Sequence, residues 1–332
     1  VLLLANKTES ERTGWAIGEF EALGIGSPLS ISAKQRTNLI ELEERIEEHL
    51  PEGATTPRKL DAPEMKLAFV GRMNAGKSSL VNALLKDERM IVSEVPGTTR
   101  DTVDVRFEQD GRAIVVIDTA GIRKERIVHD SVEFYAQRRA ERAMRRADVT
   151  ALVLDASVEV GRLDRKIAAY AVEHHRPIVI AANKWDLKPQ GLSGSAFRKY
   201  LRSVLPGLRF APIVFLSALE GTGVDALVQT AWRLQEQAST RVGTAQINKV
   251  VEAAQTLRGP KTQKGRQGLI YYGTQVSTLP PTFALFANDP DLFDDAYRRY
   301  LENRFRDALP FAEIPLKLLF RKRQRSGDES SS

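Results

Sequence analysis

Eight residues constrain this chain more than any others: Gly71, Arg72, Met73, Asn74, Ala75, Gly76, Lys77 and Ser78 match the pattern G-x-x-x-x-G-K-[ST]. They follow an apolar run at residues 67–70 and open a helical stretch at 78–85. A strand that passes through a glycine-rich loop into a helix turns its backbone N–H groups toward one centre, which suits phosphate oxygens at a helix N-terminus. In such a loop the Lys77 ammonium reaches the β- and γ-phosphates and the Ser78 hydroxyl ligates magnesium, with Ser79 completing the nucleotide-binding stretch.

The residues after the loop repeat the alternation. Short apolar runs at 113–118, 151–155, 177–182 and 213–216 are separated by helical stretches at 132–146, 162–174 and 224–237. This is the βαβ rhythm of an α/β domain, with a mostly parallel sheet and helices on both faces. Near Ser239 the pattern changes. A helix at 244–257, strands at 269–276 and 282–288, a helix at 291–309 and a strand at 314–320 predict a smaller α+β domain. A Pro/Gly/Thr-rich stretch at 51–63 reads as a linker, and 326–332 as a polar, disordered tail. The expected organisation is therefore residues 1–50, linker 51–63, an α/β domain at 64–238, an α+β domain at 239–325 and the tail. The first fifty residues echo the end of the α/β domain, with Asn6-Lys7-Thr8-Glu9 mirroring Asn183-Lys184-Trp185-Asp186 and Ser32-Ala33-Lys34 mirroring Ser217-Ala218-Leu219.

Composition removes several classes of chemistry. The 332 residues contain no cysteine, so disulfides, thiolate metal sites and cysteine nucleophiles are excluded. The four histidines, His49, His129, His174 and His175, lack metal-ligand spacing, and the adjacent pair reads as a solvated helix end before Pro177. No apolar run approaches the ~18 residues of a membrane-spanning helix, so a soluble, cytoplasmic protein with no membrane partner is expected. The chain starts Val-Leu-Leu-Leu-Ala-Asn-Lys, without Met or a basic leader, and reads as cut within a domain. A formal charge of +6 permits a polyanionic partner without requiring one.

Three further motifs narrow the nucleotide. Asp118-Thr119-Ala120-Gly121 ends the run 113–118 and combines a magnesium-shell carboxylate with a glycine N–H that can approach a γ-phosphate. Asn183-Lys184-Trp185-Asp186 ends another run; the Asp186 carboxylate can accept two hydrogen bonds from guanine N1–H and its 2-amino group, which adenine cannot offer, while the Lys184 stem packs on the base. Ser217-Ala218-Leu219, at the end of the last run, presents a backbone N–H to guanine O6. The order predicts GTP and GDP as ligands with Mg²⁺. Between the first two motifs, Pro96-Gly97-Thr98-Thr99-Arg100-Asp101 offers Thr99 as a second hydroxyl ligand for magnesium in a loop that closes on the γ-phosphate.

These motifs resemble the second GTPase domain of the Der (EngA) family of tandem GTPases that act in bacterial ribosome assembly. The likeness covers nearly the whole chain. The first fifty residues resemble the end of a first GTPase domain, and residues 244–325, with Asn288-Asp289-Pro290 and Arg298-Arg299-Tyr300-Leu301-Glu302-Asn303, resemble the family's KH-like domain. The resemblance implies a GTP-hydrolysing switch in maturation of the large ribosomal subunit, with that subunit and its rRNA as partners; it implies neither DNA nor an oligomer. Ile122 follows the Asp-x-x-Gly motif where many small GTPases place a water-orienting Gln. The resemblance supplies Asn74 as the residue that holds a potassium ion beside the phosphates, so Lys77, Asn74, Thr99 and Gly121 form the expected catalytic set. Glu9 replaces the aspartate usual in the first domain's base-reading motif. The alternatives are a tRNA-modification GTPase like MnmE, whose C-terminal cysteine is missing here, and an RNA-binding GTPase like Era. Two basic stretches without acids, Arg258-x-x-Lys261-x-x-Lys264-x-Arg266 and residues 317–325, suit phosphate backbones; Gly265-Arg266-Gln267-Gly268 precedes a strand and is not read as an RNA clamp.

Overall fold

The computed structural model describes residues 3–6, 28–31, 41–42, 64–85, 91–94, 104–109, 111–118, 132–262 and 265–322. The chain forms two compact units, Val1–Asp61 and Ala62–Ser332. In the first, β1 (Leu4–Asn6) and β2 (Leu29–Ile31) pair in parallel, with Leu4 opposite Leu29 and Asn6 opposite Ile31. Glu9, Ser32-Ala33-Lys34, the linker at 51–63 and the tail at 326–332 lie outside the described residues.

The second unit begins with β3 (Glu64–Val70), α1 (Lys77–Leu85), β4 (Ile91–Glu94), β5 (Val105–Gln109) and β6 (Arg112–Ile117). It continues through α2 (Val132–Arg146), β7 (Val149–Asp155), α3 (Arg162–Glu173), β8 (Ile178–Asn183), α4 (Gly194–Val204), β9 (Ile213–Phe215) and α5 (Val224–Ser239). The strands form one sheet in the order β4-β5-β6-β3-β7-β8-β9. From β6 to β9 neighbours are parallel, and β4 and β5 add an antiparallel edge.

Alternate residues of the central strands enter opposite cores. Met65, Leu67 and Phe69 of β3 pack on the side of α1 and α5, whereas Ala68 and Val70 pack on the side of α2, α3 and α4. Covering on both faces is why these strands read as unbroken apolar runs. The sequence reading contains neither β4, β5 nor α4. Strand β5 mixes charged and apolar residues, and α4 is recognisable from its cap, the Ser193 hydroxyl accepting from Ala196 N–H at 3.1 Å.

The C-terminal part is α+β. Helix α6 (Thr244–Leu257) leads to β10 (Ile270–Ser277), β11 (Thr282–Ala287), α7 (Asp295–Ala308) and β12 (Lys317–Lys322). Strand β11 is central, antiparallel to β10 and parallel to β12. Phe283 of β11 meets Phe305 and Phe311 edge-on, and Gly273 of β10 lies so close to Leu285 and to Ile247 of α6 that a larger residue would collide. Both helices therefore cover the same face of the sheet. The outer edge of β10 is occupied by amide side chains of α6: Asn248 accepts from Gly273 N–H, and Gln255 both donates to Ile270 C=O and accepts from its N–H. These bonds take up backbone groups that an unpaired strand edge leaves open.

Two boundaries in the C-terminal part differ most from the sequence reading. The expected helix at 291–309 is a 3₁₀ turn at Pro290–Leu292 followed by α7, because the backbone turns extended at Phe293 and Asp294 then caps α7 by accepting from Tyr297 N–H at 2.7 Å. The last strand runs from Lys317 instead of residue 314, since Ile314 and Leu316 are buried in the core ahead of it. Among the described residues, no helix is long and apolar enough to cross a membrane.

Candidate nucleotide site

The glycine loop joins β3 to α1 and owes its shape to two glycines. Gly71 has φ 146° and Gly76 φ 94°, a region that disfavours side chains. A Cβ on Gly71 would collide with the Val153 carbonyl oxygen of β7, and one on Gly76 with the Asn183 side chain of β8. Asn74, at φ 62°, is exposed at the top of the loop beside the exposed Met73, while Ala75 is fully buried. Asn tolerates this left-handed geometry better than most residues. Lys77, only 8% exposed, folds back so that Nζ donates to Gly71 C=O at 3.1 Å and Arg72 C=O at 2.7 Å. The ammonium is thus held inside the loop's curve. Arg72 points away from it, with Nε 3.9 Å from the buried Asp164 carboxylate of α3. Ser78 is half-buried in the first turn of α1, and Ser79 is exposed.

Asn183 ties the loop to the other strand ends. It is 1% exposed; Nδ2 donates to Ala75 C=O at 2.8 Å, and Oδ1 accepts from Ala218 N–H at 2.9 Å. One side chain therefore fixes the glycine loop against the turn after β9. Ser217 is buried and its Oγ accepts from Glu220 N–H, whereas Leu219 is 86% exposed. Between α1 and α5 lies a cleft of about 500 Å³, lined by Ser79, Asn82, Ala218, Leu219, Glu220 and Asp225.

The residues after Asn183 are held from behind. Lys184 is left-handed at φ 59°, and its Nζ donates to Asp155 Oδ2 at 2.7 Å. Asp155 Oδ1 accepts from both the N–H and the hydroxyl of Ser157. Burial pushes the Asp155 carboxyl up, but the hydrogen bonds from Lys184 and Ser157 outweigh it and hold the group below its ordinary value. The Trp185 ring packs 4.2 Å from Phe215 and 5.5 Å from Phe197, and the Trp185 backbone N–H donates to Leu216 C=O. With Lys184 and Trp185 anchored, Asp186 is left exposed.

Asp118 ends β6 at φ 61°, and its N–H donates to Asp104 Oδ1 at 3.0 Å. Asp104 is itself ion-paired with Arg146 of α2. Thr119, Ala120, Gly121, Ile122 and the segment Pro96-Gly97-Thr98-Thr99-Arg100-Asp101 lie outside the described residues. Sequence reasoning missed Asp155, Asp104 and Arg146. The available signal for Asp155 was a polar residue closing an apolar strand, the position that Asp118 and Asn183 share. The histidine pair also differs from expectation: His175 is half-buried near Lys317, and burial together with that ammonium pushes its pKa down.

Comparison with known proteins agrees with this arrangement. Residues 66–184 match the family described as 50S ribosome-binding GTPase, and residues 241–321 match the KH-domain-like C-terminal family of EngA bacterial GTPase enzymes. GTPase Der of Rhodopirellula baltica is 42% identical over 328 residues, covering 98% of this chain and 72% of that protein. GTPase Der of Desulforudis audaxviator is 40% identical over 325 residues, covering 98% and 74%. That of Moorella thermoacetica is 42% identical over 323 residues, covering 97% and 73%. With about two residues in five shared along nearly its whole length, and with the same pairing of a GTPase domain and a KH-like domain, this chain belongs to the Der family of GTPases.

Proposed function

We propose that this GTPase is a switch in maturation of the large ribosomal subunit and that potassium stimulates its hydrolysis of GTP. The observation that carries the nucleotide half is the cradle itself: two glycines with no room for a side chain and a lysine curled beneath the loop. Such a loop fits a chain of phosphates. In this reading Lys77 swings from the loop carbonyls to the β- and γ-phosphates, and the amides from Gly71 to Ser78 bind the phosphate oxygens. Asp186 selects guanine through N1–H and the 2-amino group; Lys184, braced by Asp155, lies along the base; and the Ser217–Leu219 turn receives O6.

Ser78, Thr99 and Asp118 would hold Mg²⁺, and Asn74 would hold K⁺. The fit rests on the half-buried Ser78 hydroxyl in the first turn of α1 and on the exposed Asn74 amide above the loop. When bound, these cations supply positive charge against the negative charge of the phosphoryl group in transit. Gly121 N–H approaches the γ-phosphate, and its loss on hydrolysis releases the segment that contains Thr99. Ile122 cannot polarise water, which is why the added charge beside Asn74 matters. The ribosomal half rests on the 50S-binding description of the matching family and on the basic character of the C-terminal part. The division into residues 1–50, 51–63, 64–238, 239–325 and 326–332 belongs to the same proposal.

The test is GTP turnover of this chain in potassium against sodium buffer, with and without purified large ribosomal subunits. Faster turnover in potassium and subunit binding that differs between GDP and a non-hydrolysable GTP analogue are expected. Equal turnover in the two cations would overturn the potassium assignment, and absence of subunit binding in every nucleotide state would overturn the ribosomal one.

A further inference from the structure

At one end of the three-stranded sheet, the register sets three side chains in a row: Tyr272 on β10 stands opposite Phe286 on β11, and Phe286 opposite Arg321 on β12. Their neighbours along the strands, Gly273, Leu285 and Phe320, face the helix-covered side; Gly273 backs onto Ile247 of α6, and Phe320 packs 4.8 Å from Phe293. By the period of two, the row points the other way. There the Tyr272 and Phe286 rings are stacked, with centroids 4.4 Å apart and planes 13° from parallel. Tyr272 stands on β10, the edge strand of this sheet among the described residues, and is 40% exposed.

Positive charge collects at the same end. Ile270 pairs with Ala287 and Ala287 with Lys322, so the start of β10 and the end of β12 lie together. The two basic stretches, far apart in sequence, therefore converge: Arg266 just before β10, and Arg321 and Lys322 closing β12, all exposed. The three strands contain no Asp or Glu. Asp289, just past β11, is paired with Arg266 at 3.1 Å.

We propose that this face binds single-stranded RNA, with an unpaired base extending the Tyr272–Phe286 stack and phosphates lying against Arg321, Lys322 and Arg266. The combination selects that ligand. A free aromatic face accepts any unstacked base, whereas a duplex keeps its bases inside and engages only the cations. Strands that carry Arg and Lys but no Asp or Glu around the rings suit a polyanion. The proposal deepens the ribosomal reading and rests on it for the source of the RNA.

The test uses the full chain with GDP and a fluorescein-labelled twelve-nucleotide oligo(A) RNA, followed by anisotropy across a salt series, with a blunt RNA duplex of equal length beside it. Tyr272→Ala is expected to weaken oligo(A) binding about tenfold at an unchanged salt slope, and Tyr272→Phe to bind as the parent does. Arg321→Gln is expected to lower the slope of log affinity against log salt by about one. GTP turnover stays at the parental rate in all three, because none lies near the nucleotide loop. Parental affinity in Tyr272→Ala, equal weakening by Tyr272→Phe, or duplex binding as tight as oligo(A) would each overturn the proposal. Loss of ribosomal-subunit binding in Tyr272→Ala with oligo(A) binding intact would do the same and assign the face to a protein. If oligo(A) responds to Tyr272→Ala but no subunit binds, the RNA face stands and the ribosomal reading alone falls.

Discussion

Tyr297 lies in the C-terminal core, 3% exposed, and its hydroxyl finds no hydrogen-bond partner among the described residues. Its ring earns the position by packing against Phe293 and Tyr300, while the oxygen pays a desolvation cost with nothing in return. Burial pushes the phenol up to about 12. A group whose folded-state pKa is raised contributes stability below its ordinary value, here near 10, and loses it as pH rises through about 12. Tyr297→Phe is therefore expected to match or exceed the parent by about 1 kcal/mol at neutral pH. It should also lose less stability than the parent between pH 10 and 12. Denaturant titrations of both chains at pH 7 and across the alkaline range check this, and a variant markedly less stable at pH 7 would show that the hydroxyl has a partner after all. No pattern in the sequence marks this residue apart from Tyr300, three positions on: both sit on the apolar stripe of α7, but only Tyr300 reaches an acceptor, Ala254 C=O of α6.

Elements meet at the nucleotide site through Asn183, which links the loop before α1 to the turn after β9. Asn183→Ala leaves Ala75 C=O and Ala218 N–H buried without partners, at about 1–3 kcal/mol each. A fall in the denaturation midpoint and a weaker affinity for GDP are expected together, by denaturant titration and by fluorescent-GDP binding; an unchanged midpoint would mean that the two loops hold each other without it. The strands that carry these motifs were legible as apolar runs because both faces are covered, and the motifs themselves were legible because only certain residues tolerate the required backbone, as Gly71 and Gly76 do. The support behind them was not. Asp155 braces Lys184 across a strand end, and the pairing of Asp104 with Arg146 holds the turn at Asp118; each joins residues distant in sequence and ordinary in type. Strand β5 escaped for a related reason: an edge-side strand with charged residues such as Arg106 and Glu108 lacks the unbroken apolar run.

The second unit is held as one body by contacts between its α/β part and its α+β part. Arg233 and Gln237 of α5 both bond Glu313, Leu279 N–H donates to Ala238 C=O, and the Arg306 guanidinium lies 4.7 Å over the Phe210 ring. His175 sits in this junction. It closes α3 at φ 50°, with its own N–H donating to Val172 C=O and the next N–H to Ala171 C=O, a helix ending that usually takes Gly or Asn. Burial first, then Lys317, His174 and Arg306, push its pKa down. The unfolded chain thus binds a proton that the folded one refuses, so stability falls as pH drops below the ordinary histidine value near 6.5. His175→Asn, which suits the backbone and cannot charge, is expected to flatten the melting-temperature profile between pH 7 and 5 relative to the parent; parallel profiles would remove His175 as the cause. The sequence by itself determined the GTPase fold, the order of its motifs and the family, because phosphate loops and two-faced strands demand residue types that can be counted along a line. Only the tertiary structure decided which side chains hold those motifs in register, that a histidine expected in solvent is half-buried near Lys317, and that two basic stretches converge on one stacked aromatic pair. These depend on strand register and helix packing, which bring together residues whose sequence neighbours give no sign of the meeting.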